Sequence, residues 1–152
     1  MSVNFAVFAG KKIGYECLKF LIKIKKKPKI VILNDDDNGK DNLFHKSCLK
    51  LAKSNKINCL KLKKRKNFYK KFHNLDYVFC LGSTKIIPND ILKIVKIGSI
   101  NIHPSILPKY RGRYSTVNAI LNGERATGLT IHWIGKEIDY GNIIKTKKII
   151  IK

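Results

Sequence analysis

Apolar and polar positions along this chain switch repeatedly between a two-residue and a three-to-four-residue period. Val3 to Phe8 is a β-branched and aromatic run and predicts a first strand. Ala9-Gly10-Lys11-Lys12-Ile13-Gly14 follows as a turn. Ile13, Cys17, Leu21 and Ile24 then recur at helical steps, and Lys25-Lys26-Lys27 with Pro28 ends that helix. Ile30 to Leu33 predicts a second strand, Asn42 to Ser54 a helix, and Ile57 to Leu62 a third strand. A solvated helix with a buried aromatic side is expected across Lys63 to Phe72. Tyr77 to Leu81 is the most strand-like segment of the first half, and Pro88 suits the first turn of a helix running to Ile94. Ser99 to Ile102 predicts a strand, Ser115 or Thr116 an N-cap, and Asn122-Gly123 the end of the helix they open. Leu129 to Ile134 and Ile143 to Ile151 predict the last two strands. Strands alternating with helices predict the α/β class with a mostly parallel sheet. The last two strands have no helix between them, which predicts an antiparallel edge. No repeat or linker divides residues 1–152, so one domain is expected.

Composition narrows the function classes. At 152 residues and 44% hydrophobic, the chain can bury a core. It has no run of about 20 apolar residues, so no membrane span is expected. Met1 to Phe5 lacks a basic segment ahead of an apolar one, so no signal peptide is expected. Cys17, Cys48, Cys59 and Cys80 form no Cys-x-x-Cys pair, which argues against a zinc site or disulfide framework and for a reducing, cytoplasmic compartment. The net charge of +22 favours anionic partners. Lysine greatly outnumbers arginine, however, and a drift toward Lys, Ile and Asn produces the same charge without a nucleic-acid site. The densest basic run, Lys63-Lys64-Arg65-Lys66, is interleaved downstream with Phe68, Tyr69 and Phe72, as in single-strand binders, yet a solvated helix face explains it as well. Asp35-Asp36-Asp37 lacks the remaining ligands of a calcium loop and reads as solvated; no metal is expected. Lys11 and Lys12 stand where a helix start could cradle a phosphate, although the spacing is no dinucleotide fingerprint.

The chemistry concentrates between Gly98 and Gly112. Asn101 and His103 are two apart, so on a strand they share a face, at the strand's carboxyl end. Asp139 lies in the loop Gly135 to Gly141, which a wound sheet returns to the same rim. A carboxylate beside an imidazole favours the charged ring and lets it move a proton. An asparagine amide can donate to an oxyanion. Together they suit attack of an amine on an acyl-type carbonyl.

Asn101-Ile102-His103-Pro104-Ser105-Ile106-Leu107-Pro108-Lys109-Tyr110-Arg111-Gly112 resembles the signature loop of the folate-dependent formyltransferases. Gly128-x-Thr130-x-His132, followed by Ile138-Asp139-x-Gly141-x-Ile143-Ile144, is similar to their second motif. That family includes the methionyl-tRNA, glycinamide ribonucleotide and sugar N-formyltransferases and a formyltetrahydrofolate deformylase. The resemblance implies a Rossmann-like catalytic domain that moves a formyl group from 10-formyltetrahydrofolate to an amine. It implies that Asn101 holds the oxyanion, His103 handles the proton and Asp139 orients His103. Thr84, Lys85, Ile86 and Ile87 match a segment lining the folate pocket, and Lys136, Glu137 and Ile138 match its other wall. Ser105, Thr130 and His132 match supporting positions, while Arg111, Lys11 and Lys12 are candidates for an anionic acceptor. Pro104 looks more like the ribonucleotide and sugar enzymes, and Tyr110 to Thr116 with Ala119 to Gly123 is most similar to the sugar enzymes, so a small, anionic, nucleotide-linked amino sugar is the expected acceptor, with tRNA second. A homodimer is compatible with the family. The chain ends at Lys152, where family domains continue, so the implied fold is truncated at its C-terminus. An inactive remnant or a basic RNA-binding module is the alternative of another class.

Overall fold

The computed structural model describes residues 3–62 and 68–151. The chain divides into two compact units, Met1–Ser99 and Ile100–Lys152.

In the first unit the strands are β1 (Phe5–Ala9), β2 (Ile30–Leu33), β3 (Asn58–Lys61) and β4 (Tyr77–Leu81). They lie in the order β3-β2-β1-β4, and every neighbouring pair is parallel. Phe-Ala-Val-Phe-Ala in β1 is buried at all five positions, as a central strand covered on both faces requires. Helices α1 (Lys11–Lys23), α2 (Cys48–Ser54) and α3 (Asn89–Ile94) connect and cover the strands. Leu18 of α1 and Ile91 of α3 are fully buried, beside Val31, Ile32 and Val78 of the sheet. Phe72 ends a short 3-10 turn, Tyr69–Phe72, and packs its ring 6.3 Å from Phe8 and 5.7 Å from Phe68. Phe68 and Phe72 beside the basic run therefore belong to the core and Tyr69 is half-buried, while Lys63 to Lys66 lie outside the described residues.

The predicted helix from Asn42 is half that length. Before Cys48 the backbone is held by side chains: Asn42 Oδ1 accepts from the Phe44 and His45 N–H groups, and Asp37 accepts from Ser47 Oγ. Such local bonds compete with the helix ladder. The three clustered aspartates are engaged separately, Asp35 with Lys85, Asp36 with Lys11 and Asp37 with Ser47.

The second unit contains most of β5 (Gly98–His103), α4 (Ser115–Leu121), β6 (Ala126–Trp133) and β7 (Ile143–Ile150). Both of its strand pairs, β5 with β6 and β6 with β7, are antiparallel. Antiparallel pairing thus begins one strand earlier than predicted. A helix between two strands usually signals a parallel crossover. The seven residues of α4 do not by themselves distinguish the two outcomes, since α2 is as long and joins the parallel pair β2 and β3. Tyr114, with φ 61°, is the N-cap of α4, while Ser115 and Thr116 donate instead to the Pro104 carbonyl at 3.2 Å each. Among the described residues no helix is long and apolar enough to cross a membrane.

Close backbone approach fixes the turn after β1. A Cβ on Gly14 would lie 2.5 Å from the Leu81 carbonyl oxygen and 3.2 Å from Ala9 Cα. Alanine is the better helix former by about 1 kcal/mol, but overpacking against backbone costs about 1–3 kcal/mol. Gly14→Ala is expected to lower the urea midpoint of unfolding; a raised midpoint would show that helix propensity decides this position.

Candidate active site

The register of β5 on β6 sets Asn101 opposite His132 and His103 opposite Thr130. Residues two apart on a strand share a face, so all four side chains lie on one side of this sheet. His103, Thr130 and His132 are buried, while Asn101 is half-buried.

Asp139 closes the group. Its Oδ1 lies 3.1 Å from Asn101 Nδ2, and its Oδ2 lies 3.2 Å from His103 Nδ1 and accepts the Gly112 N–H at 2.9 Å. Of the predicted trio, Asp139 therefore contacts both Asn101 and His103. Two findings go beyond the sequence. Asn101 Nδ2 also stands 3.1 Å from His132 Nε2, so both of its N–H bonds have acceptors within the protein. His132 Nδ1 donates to the Trp133 carbonyl at 2.9 Å, which leaves Nε2 to accept from Asn101. The same Nε2 lies 3.4 Å from Asp139 Oδ1 and donates there when the ring is protonated. The second ring nitrogen of His103, Nε2, donates to the Tyr110 carbonyl at 2.8 Å. Tyr110 and Gly112 act through backbone atoms, which the identity of a side chain does not announce.

The loop from Pro104 to Gly112 is held at several points. Ser105 Oγ donates to the Lys109 carbonyl at 2.7 Å. Thr130 Oγ1 donates to the Ser105 carbonyl at 2.7 Å and accepts the Leu107 N–H at 3.2 Å. Arg111 Nε donates to the Asp139 carbonyl at 3.1 Å, and its guanidinium sits 3.4 Å from the Tyr140 ring centroid. Arg111 thus braces its own loop. Tyr110 and Asp139 both have left-handed backbones, φ 57° and φ 58°. Such residues cost about 1–3 kcal/mol each and persist where surrounding bonds over-determine them.

Lys136, Glu137 and Ile138 are exposed on the loop before Asp139. In the first unit, Thr84 is exposed and donates its N–H to Asn34 Oδ1 at 3.1 Å. Lys85 pairs with Asp35, Ile86 is exposed and Ile87 is buried. Lys11 pairs with Asp36 at 2.8 Å, and Lys12 is exposed. Among the described residues no group of three or more His, Cys, Asp or Glu side chains could hold a metal.

Comparison with known proteins gives consistent findings. The sequence model described as "Formyl transferase" matches residues 30–152. The bifunctional polymyxin resistance protein ArnA of Wigglesworthia glossinidia brevipalpis is 39% identical over 150 residues, 96% of this chain and 23% of that protein. The methionyl-tRNA formyltransferase of Mycoplasma mycoides subsp. mycoides SC is 34% identical over 142 residues, 90% of this chain and 45% of that protein. The chain therefore spans less than half the length of these curated relatives. Among solved structures, the sugar 3N-formyl transferase WlaRD, crystallised with dTDP and 5-N-formyl-THF, superposes with a TM-score of 0.79 at 30% identity, over 99% of this chain and 53% of that one. These likenesses show a formyltransferase-like α/β fold, mostly parallel with an antiparallel edge.

The partners of Asp139 make its ionisation a stability term. Burial pushes its carboxyl up, but hydrogen bonding from His132, the Gly112 N–H and the charges of His103 and His132 outweigh it and hold the pKa below the ordinary 3.8. A carboxyl lowered on folding contributes stability above its unfolded value and loses it as pH falls through the folded one. Between about pH 5 and pH 2, unfolding midpoints of Asp139→Asn are expected to fall less steeply than those of the unaltered protein. Parallel curves would show that these partners stabilise nothing.

Proposed function

The chain belongs to the formyl transferase family, and we propose that it moves a formyl group from 10-formyltetrahydrofolate to a primary amine on a nucleotide-linked amino sugar. The amine nitrogen attacks the formyl carbon, the bond from that carbon to the folate nitrogen breaks, and a proton passes from the amine to that nitrogen. What supports this reading most is the contact of Asn101, His103 and Asp139 through one carboxylate.

On this reading Asp139 orients His103 through Nδ1. A carboxylate bond is roughly twice as strong as one to a neutral carbonyl, so Nε2, held by the Tyr110 carbonyl, is the nitrogen released to handle the proton. One Asn101 N–H exchanges its present acceptor for the formyl oxygen as negative charge develops there. His132 aims the Asn101 amide, and Ser105 and Thr130 hold the loop that carries Tyr110. Lys136, Glu137 and Ile138 contact the donor, and Arg111 braces the loop through the Asp139 carbonyl. The sugar acceptor is supported by the run Tyr110 to Gly123 and by the likeness to a sugar enzyme. A tRNA acceptor is the second reading, favoured by the methionyl-tRNA formyltransferase relative and the net charge of +22. A cytoplasmic location belongs to the same reading, supported by four free cysteines.

The first test is calorimetric binding of a stable 10-formyltetrahydrofolate analogue. The protein is expected to bind it and Asn101→Ala to bind it more weakly. Transfer is then assayed with nucleotide-linked amino sugars and with aminoacylated tRNA, and His103→Ala is expected to lower kcat by about 10²–10⁴-fold. Formate release without an amine would identify a deformylase instead. A folded protein that binds no donor analogue would sink the reading.

A further inference from the structure

We propose that Glu124 is a positioning residue for His103, acting through Tyr110. The Tyr110 hydroxyl donates to Glu124 Oε1 at 3.0 Å, and Lys109 Nζ donates to the same oxygen at 3.0 Å. These hydrogen bonds, Lys109 first, hold the Glu124 carboxyl below its ordinary value, so it stays an acceptor. At the other end of the same residue, the Tyr110 carbonyl accepts a hydrogen bond from His103 Nε2 at 2.8 Å. Tyr110 thus spans from a carboxylate outside both sequence motifs to the imidazole inside them.

The loop alone does not fix that carbonyl. Ser105 Oγ pins the preceding carbonyl, that of Lys109, and Asp139 Oδ2 pins the Gly112 N–H two residues later. Between these anchors Tyr110 is left-handed, a conformation an L-residue leaves readily when nothing opposes it. The side-chain anchor on Glu124 opposes it. Glu124 can do so because its own backbone is fixed. Leu121 ends α4, the Gly123 N–H bonds the Ile120 carbonyl, and the Glu124 N–H bonds the Ala119 carbonyl, both at 3.0 Å. This is a Schellman closure, with Gly123 supplying the required positive φ of 67°. Two residues later β6 begins. The carboxylate is therefore mounted between a capped helix end and a paired strand, which is a rigid base for a long-range hold on the ring.

The role in catalysis rests on the reading of His103 as the proton-handling group; the positioning does not, and the test separates the two. Imidazole ¹⁵N–¹H spectra resolve the four histidines and report the Nε2 proton of His103 without any turnover. In the unaltered protein that proton is expected to be protected from water. Tyr110→Phe, which removes one oxygen, and Glu124→Ala are expected to exchange it about tenfold faster, while Glu124→Gln, which keeps an acceptor oxygen, restores protection. Turnover should follow, with kcat about tenfold lower in the first two variants, KM for the donor unchanged, and recovery in Glu124→Gln. Backbone amide spectra verify folding, and if Glu124→Ala does not fold, Tyr110→Phe decides. Unchanged protection in folded Tyr110→Phe overturns the proposal whatever the activity. Altered protection in a protein with no transfer activity upholds the positioning and overturns the proposed function instead.

Discussion

Everything the second unit offers to chemistry depends on the register in which β6 pairs with β5. Asn101 opposes His132 and His103 opposes Thr130. A slip of one residue would turn His132 and Thr130 to the other face and leave Asn101 and His103 against Ile131 and its neighbours. That register is specified from both sides. Thr130 Oγ1 bonds the Ser105 carbonyl and the Leu107 N–H, so the loop leaving β5 is tied to the strand that β5 pairs with. A bulge between Ile131 and His132 shifts β7 against β6 just where the site lies. Such irregularities are common where a side chain is re-aimed.

Once the register holds, one carboxylate organises the rest. The two Asp139 oxygens reach the Asn101 amide, the His103 ring and the Gly112 N–H, which come from a strand interior, a strand end and a loop. Burying a charge is costly unless it is paired and hydrogen-bonded, and here each partner lowers that cost. The arrangement is a closed resting network in which donors and acceptors are matched inside the protein. Catalysis on such a network proceeds by exchange of partners, and the bonds to neutral groups are the ones that exchange most easily.

Much of this was legible in the letters. Ile30 to Leu33 and Tyr77 to Leu81 form strands with the predicted bounds, because short β-branched runs between polar turns leave little choice. The two-residue spacing of Asn101 and His103 gave their shared face. Other features were hidden for physical reasons. The helix predicted from Asn42 begins only at Cys48, since Asn42 and Asp37 satisfy the backbone in other ways. The antiparallel pairing of β5 with β6 was not legible from the helix between them, since the equally long α2 joins two parallel strands. Every residue has a backbone carbonyl and every residue but proline an N–H, so no residue type marks the Tyr110 carbonyl or the Gly112 N–H. The inward engagement of Asn101 follows from His132, whose alternation with Ile131 and Trp133 fits a packed residue as well as a site residue.

The left-handed backbone at Asp139 has a consequence for which substitutions the position can accept. Two demands meet there. The φ of 58° admits glycine freely and, among side-chain-bearing residues, chiefly asparagine and aspartate. The partners His103, Asn101 and Gly112 require a carboxylate of short reach. Glycine meets the first demand without the second, glutamate brings a carboxylate one methylene too long and lacks the preference for this φ, and asparagine meets the geometry without the charge. Of the twenty genetically encoded residues only aspartate meets both, so the two constraints together leave this position a vocabulary of one letter.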